Sequence, residues 1–439
     1  MAKRAGVGST GRPRVHVITM GCAKNTVDSE KLLAQLRVNR IPIAATIDDA
    51  DVAVINTCGF IDAAKEESID MIIAGVKRKG QGRLRKVIAM GCLTERYRVD
   101  LEKEIPEVDR FFGTHQLGDV LEELGGHLRT ELLGERLLTT PSHTAYLKIS
   151  EGCDHPCSFC AIPLMRGKHV SRPPEEILDE ARALVRGGVK ELIVIGQDTT
   201  FYGMDLWGER RLASLLQGLA DIEGVEWIRL MYAYPAHFPL DVLDVMVKNP
   251  RICRYLDMPV QHASDRVLKS MRRGMTARTL RGLVQTIRER VPDIVLRTTL
   301  IVGYPDEGEQ EFEELLAFVR ETRFERLGVF TYSQEEGTTA HPLGDPVSRE
   351  EKERRRAAVM EAQREIAEEL NDGLIGSQVR VLIDREEGGS YYGRTVRDAP
   401  EIDNEVIIPA DGAVLVPGTF SDVGIVDAYE YDLIGKVSA

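Results

Sequence analysis

From Val15 onward, short β-branched runs alternate with segments of helix length, a pattern that admits little besides parallel sheets covered by helices. VHVITM (15–20), DVAVINT (51–57) and KVIAM (86–90) read as buried strands, each followed by a glycine or small residue and then an amphipathic stretch. They predict an N-terminal doubly wound parallel sheet over residues 14–130. From about 140 the pattern restarts. TAYLKIS, ELIVIG, WIRLMY, YLDMPV, IVLRTTLIVG and RLGVFTY are strand candidates separated by helical segments, an incomplete (βα)6 version of the eight-unit parallel barrel over 139–370. Short strands at regular spacing, from SQVRVLID to YDLIGKV, predict a small β-barrel over 373–439. The segment between them, SREEKERRRAAVMEAQREIAEELND (348–372), reads as a solvated connector helix laced with opposite charges. Residues 1–13 are basic and glycine-rich with no apolar h-region, and read as a disordered tail and not a signal peptide.

No run of about eighteen apolar residues occurs, so no membrane span is expected and the cytoplasm is the expected compartment. A formal charge of −13 argues against broad binding to a phosphate backbone and suits a basic protein partner. The tail sharpens this. From Gly376 onward Arg380, Arg385, Arg394, Arg397 and Lys436 face a larger acidic set that includes Asp384, Glu386, Glu387, Glu401, Asp403 and Glu405, so direct RNA binding is not expected.

In a reducing compartment the seven cysteines are ligands or core residues before they are disulfide partners. Cys22, Cys58 and Cys92 each fall just past a predicted strand of the first sheet. The carboxyl ends of parallel strands share one edge, so these thiols are expected to converge there; three buried small hydrophobes is the plainer alternative. Cys153, Cys157 and Cys160 fall within eight residues of one another just after the first barrel strand, the position where barrel chemistry collects. Gln197 and Asp198, Tyr232 and Tyr234, Gln261 and His262, Gly303 and Ser333 follow the later strands and should look into the same cavity. Three thiolates can hold three corners of a cubane cluster and leave one iron open, as a reacting centre requires. His155 offers a Cys3His zinc site instead, which the missing paired-knuckle spacing and the strained wrap disfavour. Cys253 reads as core packing.

The loop Cys153-x3-Cys157-x-Phe159-Cys160 resembles the signature of radical S-adenosylmethionine enzymes. MGCAKNTVDSE (20–30), INTCGFIDAAKEESID (55–70), AMGCLTERY (89–97), IVGYPDEGEQEFEELLAFV (301–319) and TYSQEEGT (331–338) narrow the resemblance to the methylthiotransferases, with a TRAM-like tail. PLMRGK (163–168), GQDTTFYG (196–203) and DMPVQHASDRVLKSMRRG (257–274) look like the branch that modifies ribosomal protein S twelve. The transfer-RNA branch typically carries Asn where Asp198 stands.

The resemblance implies two 4Fe-4S clusters, one on Cys22, Cys58 and Cys92 and one on Cys153, Cys157 and Cys160, with S-adenosyl-L-methionine chelated by the open iron of the second. It implies a deoxyadenosyl radical that removes hydrogen from an unactivated carbon. It also implies delivery of a methylthio group, methylated on the first cluster, to the β-carbon of an aspartate of ribosomal protein S twelve. An external electron donor and a sulfur donor are implied partners. Phe159, Val302 and Gly303 are candidates to line the adenine pocket, with ordinary barrel packing as the alternative, and Asp198, Arg166 and Gln261 are candidates to position substrate or cofactor. A transfer-RNA methylthiotransferase and a non-enzymatic iron-sulfur factor for ribosome assembly are the rival readings.

Overall fold

The structure, a computed structural model, describes residues 12–132, 134–410 and 414–437. Most of the N-terminal tail assigned above lies outside the described residues. The chain divides into two compact units. One holds the described residues up to Thr139 together with Leu164–Arg166, and the other holds the remainder.

The first unit is a parallel sheet in the order β1 (Val15–Thr19), β2 (Val52–Thr57), β3 (Lys86–Gly91), β4 (Arg110–Phe112). Ile43 adds one parallel bridge to Val15, and the backbone bonds from Val15 N to Pro42 O and from Ala44 N to Val15 O place it on the side of β1 away from β2. The chain therefore steps from β1 one way to Ile43 and then the other way to β2, which makes the sheet doubly wound with its switch point between β1 and β2. Side chains alternate accordingly. Val52, Val54, Ile88 and Met90 pack under helices α1 (Ala23–Val38) and α4 (Leu117–Glu123). Ala53, Ile55, Val87 and Ala89 pack under α2 (Asp62–Arg78) and α3 (Cys92–Glu104) on the other face. Every residue of β2 is buried, which is why the strand reads as an unbroken apolar run in the sequence.

The second unit begins with β5 (Thr144–Lys148). A two-stranded ribbon of β6 (Ser150–Glu151) and β7 (Val170–Ser171) closes the base of the cysteine loop. Then come β8 (Glu191–Ile195), β9 (Trp227–Leu230), β10 (Ile252–Asp257), β11 (Val295–Val302) and β12 (Arg326–Thr331). The sheet order is β12-β11-β10-β9-β8-β5, all parallel, so the barrel stays open between β5 and β12. The tail, β13 (Gln378–Glu387), β14 (Ser390–Arg394), β15 (Val406–Pro409), β16 (Phe420–Ala428) and β17 (Leu433–Val437), forms a closed barrel around Val381, Ile383, Val406, Ile408, Val423 and Ile425.

Two expectations need correction. The helix Arg349–Asp372 is no solvated connector: Val359, Ala362, Ile366 and Ala367 are buried, and Lys352 Nζ donates to Tyr332 O at 2.9 Å. Arg355 Nη1 reaches Glu307 Oε1 at 2.7 Å. Charge pairs such as Arg364 with Glu361 occupy the outer face, and a charge census cannot tell them from the inward pair of Arg355 with Glu307 or see the apolar stripe beneath. The acidity of the tail is also partly internal. Arg326 Nε donates to Asp398 Oδ1 at 3.0 Å, Arg297 Nε to Asp403 Oδ1 at 3.3 Å and Tyr255 OH to Asp403 Oδ2 at 2.6 Å. Glu191, fully buried, takes Arg229 Nε and Arg394 Nη1, each at 2.8 Å. The loop 394–405 thus plugs the amino-terminal end of the open barrel with ion pairs, and these acids do not face solvent.

Candidate active site

In the first unit, the turn after β1 holds Cys22, the turn after β2 holds Cys58, and Cys92 opens α3 directly after β3. Asn25, fully buried, ties the first two turns together by donating to Met20 O at 2.8 Å and Thr57 O at 3.0 Å. A Cβ on Gly21 would fall 2.6 Å from the Cys58 Cβ, and one on Gly59 would fall 2.8 Å from the Leu93 Cα, so the three turns meet where side chains are missing. Ser68 fixes the Cys58 turn by donating to Cys58 O and accepting from Cys58 N, both at 3.0 Å. The three thiols are near enough to feel one another's charge. Burial pushes the Cys58 thiol up, and pushes Cys92 up to about 12 although the Arg166 guanidinium pulls it down.

Arg166 stands in this unit with its side chain 3% exposed. Its Nε donates to Cys92 Sγ at 3.2 Å, its Nη1 to Asp28 Oδ2 at 2.7 Å, and its Nη2 to Asn25 Oδ1. The sequence offered Arg166 as a candidate to position substrate or cofactor, and the structure puts its guanidinium on the thiol of Cys92.

In the second unit the loop after β6 carries Cys153, Cys157 and Cys160. It is pinned by Cys153 N to Gly167 O at 3.1 Å and by Ser158 N to Met271 O at 3.0 Å. Burial pushes the thiols of Cys153 and Cys160 up to about 12. Asp198, 2% exposed, receives His155 Nε2 at 2.6 Å and Thr200 N at 2.8 Å. The His155 ring lies flat on Tyr234, centroids 3.6 Å apart. Tyr234 OH donates to Arg273 O at 3.0 Å. Arg273 in turn donates from Nη1 to Cys157 Sγ at 3.2 Å and from Nη2 to Pro259 O at 2.6 Å. Each thiol trio therefore has its own guanidinium on one sulfur, Arg166 on Cys92 and Arg273 on Cys157. The arginine at 273 was missed because the run Arg272-Arg273 reads as a solvated charge pair.

The other strand ends are less uniform than expected. Gln261 has a positive φ of 73° and bridges to β11 through its backbone. His262 Nε2 pairs with Glu307 Oε2 at 3.1 Å, and the same Glu307 accepts from Gly303 N at 3.0 Å. Val302 is fully buried, and the partly buried Phe159 packs against the cluster of Val267, Met271, Tyr304, Tyr332 and Ala340. Cys253 is buried core, as its sequence context indicates.

Among the described residues no three His, Cys, Asp or Glu side chains stand close enough to hold a single metal ion. A cubane places a different iron behind each thiolate and spreads its sulfurs more widely, so the donor set fits a cluster better than zinc. Ser150 Oγ, Gln197 Oε1 and Arg273 Nε are buried with no hydrogen-bond partner. Orphaned polar atoms gathered at the carboxyl ends of the strands suit a polar ligand seated there.

Comparison with known proteins fits this layout. Residues 147–319 match the radical SAM superfamily, 14–113 the uncharacterized protein family UPF0004, and 375–437 the TRAM domain. The ribosomal protein uS12 methylthiotransferase RimO of Chloroherpeton thalassium is 56% identical over 431 residues, 98% of this chain and 99% of that protein. Its namesake in Cytophaga hutchinsonii is 51% identical over 97% of this chain and 98% of that protein. This chain belongs to the RimO family. It is a radical S-adenosylmethionine methylthiotransferase, and the RimO family brings with it an iron-sulfur cluster and S-adenosylmethionine as cofactors. The architecture recurs in the radical S-adenosylmethionine methyltransferase TsrM from Kitasatospora setae, solved with tryptophan and a S-adenosylmethionine analogue. Its TM-score is 0.57 at 12% identity, over 89% of this RimO-family chain and 80% of that one, a likeness of fold.

Proposed function

We propose that the chain places a methylthio group on the β-carbon of an aspartate of ribosomal protein S12. S-adenosylmethionine serves as methyl donor and radical source, with one four-iron cluster on Cys22, Cys58 and Cys92 and a second on Cys153, Cys157 and Cys160. The observation that carries this reading is a repeated arrangement: two thiol trios at the carboxyl ends of parallel strands, each with one guanidinium N–H 3.2 Å from one sulfur. Three thiolates leave one iron of a cubane open, and a cluster so bound supplies the electron that splits the sulfonium carbon–sulfur bond.

The chain's own residues hold the geometry. Asp198 fixes the His155 ring against Tyr234 and so makes a rigid wall beside Cys153 and Cys157. Arg273 and Arg166 lend positive charge to a sulfur of each trio. Gln261, held by two backbone bonds to β11, presents its amide at the strand ends, while Phe159, Val302 and Gly303 back the adenine side. The negative remainder of the tail suits a basic protein substrate better than RNA. Electron and sulfur donors are external partners.

The test offers reconstituted enzyme purified S12 and purified transfer RNA side by side and weighs both by mass spectrometry. Gain of one methylthio group by S12 alone is expected; gain by the transfer RNA would overturn the substrate. Cys157→Ala should abolish deoxyadenosine, and Cys58→Ala should spare it while stopping product.

A further inference from the structure

The reading above requires one electron from outside for each cleavage, and one surface of the second unit suits its delivery. Behind the cysteine loop lies a cavity of about 380 Å³. Its wall includes Ser158, which follows ligand Cys157 directly, and the cations Arg266, Lys269 and Arg272. No carboxylate lines it, although the chain as a whole carries a formal charge of −13. Acids around the wall are engaged: Glu311 takes Arg266 Nη1 at 3.0 Å, Asp306 accepts from Ser270 Oγ, and Asp265 accepts from Ala277 N at 2.6 Å. Lys269 and Arg272 are exposed, and among the described residues neither has a side-chain ion pair.

The basic wall and the cysteine loop are held as one piece. Ser158 N donates to Met271 O at 3.0 Å, Ala340 N donates to Ser158 O at 2.7 Å, and Arg273, the neighbour of Arg272, donates to Cys157 Sγ at 3.2 Å. Ser158 is itself buried at the back of the cavity, and consecutive Cα atoms lie about 3.8 Å apart, so a partner seated at the cavity mouth faces backbone one residue from a cluster ligand.

We propose that this cavity is the docking site of a one-electron carrier protein with an acidic face, seated on Lys269 and Arg272 and passing its electron through the Cys157–Ser158 segment. The carrier is oxidised by one electron and the cluster is reduced by one; no bond is made or broken. The inference rests on the cluster assignment above and names the partner of that site. Opposite charge at such a surface raises the rate of encounter and makes it fall with salt.

The test uses the full-length reconstituted enzyme and a Lys269→Glu, Arg272→Glu double variant. Bleaching of the iron-sulfur chromophore is followed in a stopped-flow instrument with two reductants: reduced flavodoxin, an acidic carrier, and photoreduced 5-deazariboflavin, small and uncharged. The variant should be reduced at least tenfold more slowly by flavodoxin, with loss of the salt dependence, and at the wild-type rate by the deazaflavin. Equal flavodoxin rates in the two proteins would overturn the proposal, as would equal slowing with both reductants, which would place the effect in the loop itself. A preparation that takes up no iron would instead refute the cluster assignment.

Discussion

Gly91 is the residue on which the N-terminal thiols are most exposed to a one-atom change. It adopts φ 103° and ψ −156°, a region essentially closed to L side chains, directly before Cys92. A Cβ there would lie 2.4 Å from Asn56 Oδ1 and 2.7 Å from Thr57 O. Asn56 cannot swing aside cheaply, because its Nδ2 donates to Asn25 O and Ser29 Oγ, both at 3.0 Å and buried. Backbone strain and overpacking together cost Gly91→Ala about 2–6 kcal/mol. Domains are stable by only about 5–15 kcal/mol, so the strain is relieved by moving the start of α3 and Cys92 with it. Iron measured per chain after anaerobic reconstitution should fall to about half the wild-type value, the barrel trio keeping its share. Hydrogen exchange should quicken through Lys86–Cys92. A Gly91→Ala protein with full iron and unchanged exchange would refute the reasoning.

Glu191→Ala leaves Arg229 and Arg394 buried and facing each other, at a cost of about 3–5 kcal/mol read from urea unfolding; a loss below about 1 kcal/mol would count against the plug. Burial pushes the Glu191 carboxyl up, but the two guanidiniums outweigh it and leave it below its ordinary value of 4.5. Its contribution is therefore complete above pH 4.5 and is lost as the pH falls below that, so the gap between variant and wild type should narrow in acid. In metal-free protein, burial holds Cys92, Cys153 and Cys160 near 12. Their alkylation by iodoacetamide should rise about tenfold per pH unit between 7 and 9, with exposed Cys22 labelled first at every pH. Peptide mapping that finds Cys92 as reactive as Cys22 at pH 7 would contradict this.

The three strands that deliver Cys22, Cys58 and Cys92 were legible because buried parallel strands are apolar without interruption. The shared edge then follows from topology. The open barrel was legible for the same reason. The sulfur contacts of Arg166 and Arg273 and the buried face of the connector helix were not, since a charged side chain looks the same in sequence whether it meets water or a sulfur. The tail acids Asp398 and Asp403 were misjudged on that ground: their partners Arg326 and Arg297 lie more than seventy residues away, and no local pattern announces the pairing.

The plug at the amino-terminal end of the barrel bears on synthesis. Glu191 and Arg229 leave the ribosome early, but their burial is completed by Arg394 and the carbonyl of Val396, which emerge more than 160 residues later. Until then the nascent six-stranded sheet carries unfinished charges at its base. Assembly of this enzyme should accordingly be a late event, in which translation of the last segment gates the maturation of everything before it.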